Sequence, residues 1–172
     1  MVRLSGTQLR ARAARIRLVV SDVDGVLTDA GVYYSAEGEE LKRFSMRDGM
    51  GVELLRNAGI RTALMTRENS PIVAARARKL QIENLWAGQR EKAESLPRLV
   101  AELGLTPDQV AYIGDDVNDS GALAWAAVEG LAVCPADAVT KVREAAHFVT
   151  AARGGHGAFR ELCDLILDQR AP

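Results

Sequence analysis

Cysteine is nearly missing from this chain, with two in 172 residues. Cys134 and Cys163 stand far apart and fit no metal-ligand spacing. The expectation is two reduced, buried thiols in a cytosolic protein. Net charge is nearly missing too. Its formal value of −1 provides no bulk attraction to nucleic acid or to an anionic membrane. No stretch is long and apolar enough to span a bilayer, and the first residues lack the apolar core of a signal peptide. These absences lead to the expectation of a cytoplasmic protein that binds neither nucleic acid nor membrane. Internal repeats, low-complexity segments and Pro-, Gly- or Ser-rich linkers are also lacking. With 48% hydrophobic and 26% charged residues, the chain reads as one soluble domain over 1–172 with a sizeable core. Within it, Arg3, Arg10, Arg12, Arg15 and Arg17 mark a basic helical extension over 1–15, read as a solvated face.

What is present is an alternation of short apolar runs and longer amphipathic stretches. The runs are Ile16–Ser21, Thr62–Thr66, Val110–Gly114 and Leu131–Cys134, with weaker ones at Asn84–Ala87 and His147–Thr150. They are apolar on both faces, as buried parallel strands are. Candidate helices lie between and after them at 49–58, 70–80, 91–103, 118–127, 138–145 and 157–169. This pattern predicts an α/β fold, a Rossmann-like parallel sheet with helices on both faces. One segment breaks the rhythm. Residues 31–44 place β-formers on each side of Glu37-Gly38-Glu39, which predicts a β-hairpin inserted after the first strand. A lone two-stranded hairpin needs something to pack against, either its own domain or a neighbouring chain. Trp86, Trp125, Tyr33 and Tyr34 read as packing residues.

The chemistry lies in the residues that end the strands. The first run ends in Asp22-Val23-Asp24-Gly25, the second in Thr66, and the Val110 run in Asp115-Asp116 with Asp119 close behind. Open parallel sheets bind ligands at the carboxyl ends of their strands, so these side chains are expected to meet in one crevice. Crowded carboxylates take up protons or a cation. An all-oxygen donor set selects a hard ion, and Mg²⁺ is the one expected beside phosphate. Lys92 starts the helix after Asn84–Ala87, where an ammonium and a helix N-terminus both favour phosphate. A carboxylate attacking a phosphate ester is an anion approaching an anion, and it needs this positive charge. In that scheme Asp22 is the nucleophile, Asp24 the acid and then the base, and Thr66 a donor to a phosphoryl oxygen.

DVDGVLTD at 22–29, LMT ending at Thr66, EK ending at Lys92 and GDDVND at 114–119 resemble the four motifs of haloacid-dehalogenase-type phosphatases. The resemblance implies Mg²⁺ held by Asp22, the main-chain carbonyl of Asp24, and Asp115, with Asp119 orienting the metal site. The chain leaves no room for a separate cap domain. With the hairpin at its insertion point, it is similar to the capless homotetramers that act on phosphorylated 3-deoxy-2-ulosonic acids. FSMRDGMG at 44–51 and GGHGAFRELCDLIL at 154–167 extend the likeness. There the hairpins assemble the tetramer, and a neighbouring subunit partly covers each active site.

Thr66-Arg67-Glu68-Asn69 departs from the Thr-Gly-Arg of the group acting on 3-deoxy-manno-octulosonate 8-phosphate. Glu68, with Arg76 and Lys79 downstream, looks more like the group acting on nine-carbon 9-phosphates, so that substrate ranks first and the eight-carbon acid next. Arg67 stands where both groups carry Gly. Glu68 is either a selectivity residue or a first-turn helix acid. Arg76 is either a clamp for the substrate carboxylate or a surface arginine beside Arg78 and Lys79. Arg47 and Asp48 either line the pocket or cap the helix near Gly49. Two other classes stay open: a phospho-accepting receiver domain and a non-catalytic assembly module that keeps the fold.

Overall fold

The computed structural model describes residues 4–170; Arg3 of the basic extension lies outside them. Helix α1 (Gly6–Ala13) leads into β1 (Leu18–Ser21), the hairpin strands β2 (Thr28–Ser35) and β3 (Gly38–Phe44), and α2 (Met46–Asn57). Then come β4 (Arg61–Met65), α3 (Pro71–Lys79), β5 (Asn84–Trp86), α4 (Lys92–Glu102), β6 (Val110–Ile113) and α5 (Ser120–Glu129). The last elements are β7 (Leu131–Cys134), α6 (Thr140–Ala145), β8 (Phe148–Val149) and α7 (Ala158–Leu167). The parallel sheet runs β5-β4-β1-β6-β7-β8. With the hairpin set aside, this is the doubly wound order whose direction reverses between β1 and β6. The switch point therefore lies between the strands that carry Asp22 and Asp115.

The strands are apolar on both sides because helices cover both sides. Val19, Leu64, Ile113 and Val133 face a core with Val52 and Leu55 of α2, Val73 of α3 and Phe159 and Leu162 of α7. The alternate residues Val20, Met65, Tyr112 and Ala132 face Leu96 and Leu99 of α4, Leu123 of α5 and Val142 of α6. No separate cap domain occurs among the described residues, and no helix there is long and apolar enough to cross a membrane.

Three expectations shift in detail. Helix α2 starts before residue 49, because the Ser45 hydroxyl accepts from the N–H of Arg47 (3.1 Å) and Asp48 (3.4 Å). The hairpin begins at Thr28 and turns at residues 36–37, with Ser35 paired to Gly38. The Ser35 hydroxyl donates to the Glu37 carboxylate at 2.8 Å and accepts its N–H at 3.2 Å, which sets the turn there. The basic extension is also partly engaged. Arg12 donates to the carbonyls of Ala127 (3.0 Å), Val128 (3.2 Å) and Gly130 (2.7 Å), a cationic cap on the end of α5.

The hairpin forms its own two-stranded sheet. Tyr33, Tyr34 and Leu41 are 66%, 70% and 61% exposed, so the two tyrosines do not pack within the chain as expected. Trp86 and Trp125 do pack, against the core on the α4–α6 side. Both cysteines are free and buried.

Candidate active site

The acidic and basic groups converge at the carboxyl ends of β1, β4 and β6. Asp22 follows β1 and is 4% exposed. One of its carboxylate oxygens accepts the Val23 N–H at 2.7 Å, and the other lies 2.7 Å from Lys92 Nζ. Lys92 opens α4 and is itself buried. Its ammonium also meets Asp119 Oδ1 at 2.8 Å. A fully buried ion pair is stable only when its remaining polar atoms are satisfied, and Asp119 meets that condition. Its Oδ1 also accepts the Tyr112 hydroxyl at 2.6 Å, while its Oδ2 accepts the N–H groups of Asp115 (3.0 Å) and Asp116 (3.3 Å). Four donors thus occupy its four lone-pair positions. Asp119 braces Lys92 and the Asp115 loop from behind.

Backbone close approach explains two motif glycines. Gly25 has φ +80°, and a Cβ there would lie 1.9 Å from Asp115 Oδ2. A Cβ at Gly114 would lie 2.4 Å from Asp119 Cγ. Neither position accepts a side chain while the acidic loops stay in place.

A cavity of about 240 Å³ opens over this cluster, lined by Asp22, Asp24, Thr66, Glu68 and Asp115. Ala30, Arg67, Asp116 and Asn118 complete the wall. Arg67 is not among the described non-glycine residues at positive φ, so its backbone does not require the glycine found in the similar groups. A slightly larger cleft of about 270 Å³, lined by Arg56, Thr62 and Asn84 among others, lies at the starts of β4 and β5. It is at the opposite end of the sheet and holds no carboxylate cluster.

The site is short of positive charge. Burial, and then Asp119, push the Asp22 carboxyl well above its ordinary range, against the pull of Lys92. Asp115 is pushed up to about 7, by burial first and then by Asp119 and Asp116. One oxygen each from Asp22, Asp115 and Asp119 falls within a 4.8 Å cluster. An all-oxygen donor set with this excess of negative charge fits Mg²⁺. Asp22 and Asp115 face the cavity, and Asp119 supports them.

Cation binding is therefore expected to release protons below neutral pH. Asp115 has a folded-state value above its unfolded one, so the metal-free fold loses stability as pH rises through that window. Above pH 7 Asp115 is mostly ionised and the cation binds with less displacement of protons. Added Mg²⁺ should raise Tm more at pH 8 than at pH 5.5 in thermal melts. An equal gain at both values would contradict this account.

Several expected substrate residues are not brought to the cavity. Asp48 is 1% exposed, and its carboxylate accepts the N–H groups of Gly157 (3.2 Å) and Arg160 (2.9 Å). It caps the start of α7 and not the helix near Gly49, whose cap is Ser45, and it lines none of this cavity, so neither expected role for Asp48 is seen within this chain. Arg47 is exposed on the first turn of α2 and lines none of this cavity. Arg76 donates to the Ser45 carbonyl at 3.0 Å and sits over the Phe44 ring at 5.5 Å, tying α3 to the base of the hairpin. Lys79 is exposed at the end of α3. Neither Arg76 nor Lys79 lines the cavity of its own chain.

Two residues were missed. Tyr112 sits in an apolar strand, and nothing in its sequence neighbourhood marks its bond to Asp119. Lys42 lies on the hairpin with Nζ 2.6 Å from Asp24 Oδ1. Its only signal in the sequence is strand alternation, which sets Lys42 and Phe44 on the face opposite Leu41 and Arg43.

A family model described as haloacid dehalogenase-like hydrolase matches residues 39–127. The chain belongs to this family, and within it to the phosphatases that lack a separate cap domain. Among curated proteins, the 3-deoxy-D-manno-octulosonate 8-phosphate phosphatase KdsC of Yersinia pestis is 45% identical over 156 residues, covering 91% of this chain and 82% of that protein. Among solved structures, the corresponding phosphatase of Moraxella catarrhalis, in complex with a magnesium ion, a phosphate ion and a KDO molecule, superposes with a TM-score of 0.91 at 34% identity, covering 96% of this chain and 93% of that one. A cobalt-bound form from Haemophilus influenzae gives a TM-score of 0.88 at 40% identity, with 92% and 91% covered.

Proposed function

We propose that the chain hydrolyses the phosphate monoester of a phosphorylated 3-deoxy-2-ulosonic acid through an aspartyl phosphate on Asp22. The observation that carries this reading is the meeting of Asp22, Asp24, Thr66 and Asp115 around one cavity, with the Lys92 ammonium 2.7 Å from Asp22. An Asp22 oxygen attacks phosphorus, and the bond from phosphorus to the leaving oxygen breaks. Asp24 gives its proton to that oxygen. Water then attacks the same phosphorus and passes its proton to Asp24. The bond to Asp22 breaks, phosphate leaves and the carboxylate is restored. Lys92 and the Thr66 hydroxyl stabilise the phosphoryl oxygens, and Mg²⁺, when bound, supplies further positive charge there. The receiver and assembly-module readings explain neither a cavity carboxylate two residues beyond Asp22, at Asp24, nor the phosphatase relatives.

The substrate order differs from the one the loop after Thr66 implies. Relatives spanning most of the chain are named for the eight-carbon 8-phosphate, and that substrate takes first place. The nine-carbon reading is retained because Glu68 lines the cavity wall. Steady-state kinetics on both substrates is the test. The native enzyme should have the higher kcat/KM on the eight-carbon acid. Glu68→Arg should move the ratio of the two by about tenfold or more, since a charge reversal at a contact alters discrimination by that order. An unmoved ratio would remove Glu68 as a selectivity residue.

The reading includes a homotetramer. A cavity of about 240 Å³ is below the usual span for small-molecule pockets, roughly 300–1,000 Å³, so a sugar acid extends beyond one chain. The exposed Tyr33, Tyr34 and Leu41 are an apolar patch suited to pairing with neighbours. Light scattering on the same preparation should give four times the 18.6 kDa chain mass; a monomer would refute shared sites.

A further inference from the structure

We propose that Lys42 is a positioning residue for Asp24, and that the seat of the hairpin is thereby read directly at the acid/base carboxylate. The inference rests on the phosphatase reading and deepens it. Asp24 lines the cavity, and its side chain is 33% exposed. Among the described residues, its carboxylate has one hydrogen-bond partner, Lys42 Nζ at 2.6 Å. The Lys42 side chain is 3% exposed, so it is committed to this contact rather than to solvent or substrate. One carboxylate oxygen is thus held, and the other is left to serve the leaving group and the water.

The lysine is itself held. Its ammonium also meets Glu39 Oε2 at 3.3 Å. The other Glu39 oxygen accepts the hydroxyl of Ser70, the N-cap of α3 at the end of the Thr66–Asn69 loop. The series Ser70–Glu39–Lys42–Asp24 therefore links two cavity-lining loops through the hairpin. A local irregularity makes this possible. In a regular strand, residues 39 and 42 point to opposite faces. Here Tyr33 pairs with Leu41 and Tyr34 with Glu39, so Glu40 is an extra residue. Such a bulge resets the alternation and turns Glu39 to the side of Lys42.

If Lys42 served only to dock the hairpin, its loss would lower stability and affect all substrates alike. A positioning role predicts an unequal pattern. An alkoxide leaving from a sugar phosphate needs the Asp24 proton, whereas p-nitrophenolate leaves without one. Both substrates need Asp24 for the attack of water. The experiment compares native enzyme and Lys42→Met on p-nitrophenyl phosphate and on a primary sugar phosphate that the native enzyme turns over. On the sugar phosphate, kcat should fall about 10²-fold with KM little changed, the scale for a catalytic group displaced by about 1 Å. On the aryl phosphate the variant should release a burst of one p-nitrophenol per site, followed by a slow steady rate. Lys42→Arg, which keeps a cationic donor, should recover most of the loss. If Lys42→Met does not fold, Lys42→Gln retains one donor and should show the same pattern at smaller amplitude. Equal losses on both substrates without a burst, or native rates throughout, would overturn the proposal. A native enzyme inactive on every phosphate ester would instead overturn the phosphatase reading, and this inference with it.

Discussion

Asp22→Asn is expected to abolish phosphate release, by about 10³-fold at least, while leaving a folded protein. The magnitude follows from loss of the attacking atom, since removing a nucleophile that acts within a concerted set costs that much or more. The fold should survive for electrostatic reasons. Asp22 already resists ionisation because of burial and the nearby Asp119 charge, and the amide removes that repulsion. Lys92 keeps Asp119 as a partner at 2.8 Å, so no buried cation is orphaned. Acid quenching during turnover of ³²P-labelled substrate separates the steps. Native enzyme should carry a small steady fraction of acid-stable, hydroxylamine-labile label, and Asp22→Asn should carry none. Asp24→Asn should accumulate label from an aryl phosphate, because the first step then proceeds without an acid and the second lacks its base. Turnover retained in Asp22→Asn would refute the mechanism.

The parts of this site that were legible in the sequence share a physical cause. Asp22, Thr66 and Asp115 follow short buried strands, and strand ends in a parallel sheet converge whatever their separation in sequence. Lys92 was legible because it opens a helix behind a strand. What stayed hidden depends on contacts between elements. Asp48 reads as either a pocket residue or a cap of its own helix, yet both its oxygens are taken by the start of α7, a packing relation across more than a hundred residues. Arg76 reads as either a clamp or a surface arginine, but the guanidinium is tied to the Ser45 carbonyl and lies over Phe44. Lys42 is not legible because a lysine on a hairpin usually points to solvent, whereas here it meets Asp24 in the loop after β1. The bulge at Glu40 left no sequence mark either, since it appears only in the pairing of the two strands.

Lys92 is where stability and the proposed chemistry rest on the same atom. Replacing it with Met keeps the length and apolar stem but leaves the Asp22 and Asp119 carboxylates buried without their shared cation. Breaking a buried pair in this way costs about 3–5 kcal/mol, a large part of the roughly 5–15 kcal/mol that holds a domain together. The cost should depend on pH in a defined direction. In the native fold Asp22 and Asp119 raise the Lys92 value against the opposing effect of burial, so its contribution is complete below the unfolded lysine value and is lost only in strongly alkaline solution. Between pH 5 and 9 the lysine therefore stays charged. Without the lysine, Asp22 rises further, and the folded variant binds more protons than the unfolded chain above the ordinary aspartate range. Its stability must then fall as pH rises. Urea denaturation should accordingly show a gap between native and Lys92→Met that widens from pH 5 to pH 8. Added Mg²⁺ should narrow the gap at pH 8, because a bound divalent ion restores part of the missing charge, but it should not restore turnover. A gap independent of pH would mean that Lys92 stabilises by packing alone and not through its charge.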